Sequence, residues 1–130
     1  MIAVDTNVIA RLLLRDDEAQ HRKAVKLFGD GREYTAPPTV MLELVWVLGS
    51  YGHTREDIAL ALKSLLGLPN FKPKSAAAIA TAVATYEAGM DFGDALHLAL
   101  SSGEDGFVTF DERLVKRAKR EGLAPPVELP

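Results

Sequence analysis

The chain has 130 residues, a formal net charge of −3, 48% hydrophobic residues and no cysteine. That composition excludes a disordered chain, a disulfide scaffold, a thiolate metal site and a cysteine nucleophile. No apolar run approaches the ~20 residues a membrane helix needs, and Met1–Asp5 lacks the basic start of a signal peptide, so a single cytoplasmic domain over 1–130 is expected.

The pattern opens with a short apolar strand at 2–5, ending in Asp5-Thr6-Asn7, whose side chains suit a helix start. A helix carrying Val8, Ile9, Leu12 and Leu13 on one stripe follows. A second helix is expected over 18–28, with Ala24, Val25 and Phe28 inward and Gly29 as its stop. Residues 34–36 form a short strand, and Pro37-Pro38 ends it and begins a helix. The apolar stretch 39–48 fits a buried helix better than a strand, by length and by its place after two prolines. Thr54 starts the next helix, with Ile58, Leu62, Leu65 and Leu66 in register up to Gly67. A loop or very short strand surrounds Phe71. An Ala-rich helix spans 75–87, capped near Gly89, and another runs from 94 to 100. A strand at 107–110, a helix at 111–121 ended by Gly122, and an edge strand at 127–129 complete the chain. Strands alternating with helices predict an α/β fold with a parallel sheet covered on both faces.

Four carboxylates stand out against this frame. Asp5 ends the first strand, Glu43 is the one charge within 40–48, Asp94 opens an apolar helix, and Asp111 follows the strand at 107–110. Asp5, Asp94 and Asp111 each suit a helix N-cap, worth ~1 kcal/mol without any function. A buried Glu43 needs a partner; a salt bridge or simple exposure is its bland explanation. Taken together, strand-end acids converge at the carboxyl edge of a parallel sheet, where open α/β folds bind ligands. Clustered carboxylates must take up protons or share a cation. Hard oxygen donors suit Mg²⁺ or Mn²⁺, which lowers the pKa of water and neutralises phosphate charge during phosphodiester hydrolysis.

Val4-Asp5-Thr6-Asn7, Glu43 within 40–47, Asp91-Phe92-Gly93-Asp94-Ala95-Leu96-His97 and Val108-Thr109-Phe110-Asp111 together resemble the PIN domain, in family order and over the whole chain. More narrowly the chain resembles VapC-type toxins of toxin–antitoxin pairs. The resemblance implies a three-layer α/β/α PIN-like fold with a central, mostly parallel sheet. It implies an endoribonuclease dependent on one or two Mg²⁺ or Mn²⁺ ions, acting on RNA, forming a homodimer and binding a cognate antitoxin protein. Carried over by motif, Asp5, Glu43 and Asp94 are metal ligands and catalytic acids, and Asp111 is a fourth. Thr6 and Asn7 support the first acid.

Arg11 and Arg15, on the helix leaving Asp5, are candidate RNA-phosphate contacts. The basic residues of the last helix, Arg113, Lys116, Arg117, Lys119 and Arg120, read as a solvated face or an RNA contact. Asp91 reads as a cap or loop acid, with a part in the site as the lesser reading; His97, one turn after Asp94, as a packing residue or a contact behind that acid; and Trp46 and Tyr51 as core or interface residues, with base stacking the lesser reading. Two rivals remain: a metal-dependent phosphatase with an aspartyl nucleophile, and a non-catalytic module with an acidic groove. Phosphatases of that kind usually carry a second acid two residues after the first, and here that position is Asn7.

Overall fold

The computed structural model describes residues 1–130. Strand β1 (Ile2–Ala3) pairs in parallel with β2 (Tyr34–Thr35), Ile2 lying opposite Tyr34. Strand β3 (Phe107–Val108) pairs in parallel with β4 (Val127–Glu128). Tyr34 also bridges Phe71, in the loop where a very short strand was expected. All strand pairing is parallel, as the α/β pattern predicts, although hydrogen bonding divides the strands into two separate pairs. The first strand is shorter than expected, and Ile2 and Ala3 are exposed rather than buried. β1 pairs with β2 alone. The Val4 N–H still donates to the Thr35 carbonyl at 2.9 Å, which carries the pairing to the threshold of Asp5.

Seven helices surround these pairs: α1 (Thr6–Leu13), α2 (Glu18–Phe28), α3 (Pro38–Ser50), α4 (Arg55–Leu66), α5 (Ala76–Glu87), α6 (Phe92–Leu100) and α7 (Glu112–Glu121). Their starts follow the chemistry of orphan N–H groups. The side chains of Asp5, Asp17, Thr54, Asp91 and Asp111 each accept from a backbone N–H in the first turn. Helix α3 instead begins with Pro38, whose missing N–H costs nothing at that position. Helix α6 begins two residues earlier than expected, because Asp91 takes the cap and leaves Asp94 within the first turn.

A cluster of 25 buried residues forms the core. Met41, Leu44 and Leu48 supply the α3 stripe, at helical spacing. The opposite stripe of α3, Thr39, Glu43, Trp46 and Ser50, is exposed. Glu43 is therefore not the buried glutamate expected, and Trp46, 73% exposed, is not a core residue. Apolar composition alone does not enclose a helix when only one face meets the core. The same reasoning corrects Val25, which is exposed, whereas Leu27 joins Ala24 and Phe28 against the core. Tyr51 is also exposed, its hydroxyl donating to Asp16 at 3.0 Å.

Leu44 is fully buried. Leu44→Ala removes its packing and leaves a cavity, with an expected loss of about 3 kcal/mol. Urea unfolding should show a lower midpoint with an unchanged slope. No helix is long and apolar enough to cross a membrane.

Candidate functional site

A cavity of about 530 Å³ opens between the N-terminal end of α6 and the face of α7. Its acidic side consists of Asp91, Asp94 and Asp111. Each is placed by a local rule. The Asp91 carboxylate caps α6 by accepting from the Asp94 N–H at 3.0 Å. Asp111 caps α7, accepting from the N–H groups of Arg113 and Leu114 at 2.9 and 3.1 Å. Asp94 lies in the first turn of α6, whose apolar face, Phe92, Ala95, Leu96 and Ala99, is buried in the core.

Burial holds the Asp94 carboxyl above the ordinary carboxylate range, and the charges of Asp91 and Asp111 push it the same way. His97, one turn further along α6, opposes them. No Lys or Arg lies within ion-pair distance of Asp91, Asp94 or Asp111. Hard oxygen donors with repelling charges and no paired cation are chemically suited to a divalent ion. No three His, Asp or Glu side chains, however, stand close enough in this structure to hold one ion together.

The expected single ring of Asp5, Glu43, Asp94 and Asp111 is thus not assembled. Asp94 and Asp111 share the cavity, while Asp5 and Glu43 do not line it. Asp5 follows β1 and Asp111 follows β3, and these strands belong to different pairs. Asp5 is exposed and accepts from the Thr6 N–H at 2.7 Å, with Thr6 buried behind it. Glu43 is exposed and pairs with no cation. Its neighbour Leu42 faces α6: a Cβ at Gly93 would meet Leu42 Cδ1 at 3.7 Å.

Asn7 and Arg11 line a different cavity, of about 320 Å³, between α1 and α2. Arg11 is tied to Asp16 at 2.5 Å and Arg15 to Glu18 at 3.4 Å. The basic side of the acid cavity comes instead from Arg113, Lys116, Arg117 and Arg120 of α7. Their spacing, i, i+3, i+4 and i+7, marks one helix face and was available in the sequence. Asp91 is both a cap and a cavity acid, two roles that look alike along a chain.

The α5–α6 turn is held from behind. Arg55 Nη1 donates to the carbonyls of Tyr86 and Met90 at 2.7 and 2.8 Å, and its guanidinium lies 4.6 Å from the Tyr86 ring centroid. Asp91 follows Met90 directly, so Arg55 fixes the backbone that delivers the acids.

The chain matches the PIN domain family over residues 2–120. Neither a curated protein nor a solved structure matches it significantly. The fold, the sequence motifs and this match agree: the chain belongs to the PIN domain family, whose members are in general metal-dependent nucleases.

Proposed function

We propose that this chain is a Mg²⁺- or Mn²⁺-dependent endoribonuclease of the VapC type, the toxin of a toxin–antitoxin pair, and that it folds as one cytoplasmic domain over 1–130. The observation that carries the proposal is Asp94, partly buried in a cavity it shares with Asp91 and Asp111, with no cation paired to any of the three. Asp94 and Asp111, with Asp5 and Glu43, are the residues proposed to hold one or two ions. The chemistry such an ion supplies is water of lowered pKa and positive charge at the phosphate oxygens. The protein's own part is to set Asp94 and Asp111 at the starts of α6 and α7 on one cavity; bringing Asp5 and Glu43 to the same ion requires the acids to draw together when it binds. Thr6, buried under Asp5, and the Asp5 cap bond hold the first acid in place. Asn7, exposed in the first turn of α1, is proposed to support the first acid from beside it.

RNA is the proposed substrate, a homodimer the proposed assembly, and an antitoxin protein the proposed inhibitor. The exposed apolar side chains Trp46 and Leu60 give such partners surface to cover. The test is Asp5→Asn in the purified protein, assayed on RNA with Mg²⁺ and with Mn²⁺. Loss of ion-dependent cleavage with an unchanged far-UV spectrum is expected, because one ligand charge is gone while an Asn cap remains available. Full cleavage by the variant would remove Asp5 from the site.

A further inference from the structure

Metal binding accounts for the carboxylates of the acid cavity but not for its opposite wall. Arg113, Lys116, Arg117 and Arg120 present four cations to that space, while Lys119 of the same helix does not line it. None of the four enters an ion pair, although three carboxylates line the same cavity and Glu112 and Glu121 lie on the same helix. Arg117 is half-buried and has a defined seat. A Cβ at Gly89 would lie 3.0 Å from Arg117 Nη1 and 3.3 Å from Nη2. Gly89 also has φ +120°, a conformation that side chains rarely adopt. The glycine thus lets the guanidinium lie against the α5–α6 turn, two residues before Asp91. A seated guanidinium with no carboxylate partner is suited to a bidentate grip on phosphate oxygens.

We propose that this face of α7 is a phosphate-binding wall that holds the nucleic-acid backbone beside the scissile bond. Arg117 is the seated, bidentate contact, and Arg113, Lys116 and Arg120 follow neighbouring phosphates along a face about 10 Å long. The proposal rests on the nuclease reading for the position of the scissile bond, but the wall acts by charge and needs no ion. Its binding is therefore separable from cleavage.

The test is binding of a fluorescent single-stranded RNA in EDTA across a range of salt, for the wild type, Arg117→Ala, Arg117→Lys, Lys116→Ala/Arg120→Ala and Lys119→Ala. Loss of each wall cation should lower the slope of log K against log salt by about 0.7. Arg117→Ala should weaken binding roughly 10-fold, the size of one charge-assisted contact. Arg117→Lys should keep the salt slope yet bind more weakly than wild type, because the fork is lost. Lys119→Ala, off the wall, should bind like wild type. Equal affinities and slopes for all the proteins, or no binding by the wild type in EDTA, would overturn the proposal. So would displacement of RNA by polyglutamate at equal charge concentration, which would make the wall a site for acidic peptides. A wild type that binds RNA with these slopes but cleaves nothing in Mg²⁺ or Mn²⁺ would contradict the nuclease reading and leave the wall intact.

Discussion

Asp94→Asn is expected to lower ion-dependent RNA cleavage by at least about 100-fold while raising the melting temperature of the metal-free protein at neutral pH. The first effect follows from rank. Groups that merely support metal ligands cost 10- to 100-fold when removed, so a ligand should cost no less than about that upper figure. The second effect follows from the direction of the Asp94 shift. Burial, then Asp91 and Asp111, hold its folded pKa above 3.8. The folded state then binds the proton more tightly than the unfolded state. Stability contributed by protonated Asp94 is present below pH 3.8 and is lost as pH rises through the folded value. At pH 7 the ionised carboxylate is a burden that Asn removes. The gain should be full at pH 7, shrink as pH falls through that window, and narrow at pH 7 when Mg²⁺ is added. Thermal melts of both proteins at several pH values check this. Asp30 acts in the opposite sense. Its carboxyl is lowered to about 2, first by Arg32 and then by Tyr34, so its contribution fades only as pH falls towards that value. Comparing variant with wild type at each pH cancels that common term. A variant less stable than wild type at pH 7 would contradict the repulsion on which the site reading depends.

Arg55→Ala should produce the larger loss of stability near the site, about 3 kcal/mol. The side chain serves two backbone carbonyls and stacks on Tyr86, so its removal leaves acceptors without a donor and an aromatic face uncovered. For a chain of this length that corresponds to a fall of about 10 °C in melting temperature. Arg55→Lys should restore only part of it, because one ammonium cannot reproduce the planar grip. The loosened turn carries Asp91, so the affinity for Mn²⁺ should fall as well. A melting temperature within 2 °C of wild type, on the scale of an ordinary surface change, would show that the turn holds itself.

The sequence carried much of this architecture, for identifiable reasons. Helices α3, α4, α5 and α7 announce their starts through Pro38, Thr54, the Ala-rich run and Asp111, and α2, α4 and α7 their ends through Gly29, Gly67 and Gly122. The start of α6 is not legible in the sequence because Asp91 and Asp94 are both good capping residues, and only the tertiary position of the chain chooses between them. Exposure on α3 was illegible because a helix of nearly uniform apolarity gives no phase; Glu43 and Trp46 turned outward together, three residues apart. Asp94 and Asp111 stand out in the sequence as a helix-start and a strand-end acid, and the structure brings both to one cavity. The cation wall needed the helix face of α7 and the position of Gly89 to become visible.

The central claim, that these acids hold a divalent ion used for RNA cleavage, is most directly tested by titrating the metal-free protein with Mn²⁺ while following ion binding and cleavage of a labelled RNA in the same samples. Cleavage should rise in proportion to occupancy of one or two sites, vanish in EDTA, and be absent in Asp94→Asn at the concentrations that saturate wild type. Cleavage that persists in EDTA, or Mn²⁺ bound equally well by Asp94→Asn, would contradict it.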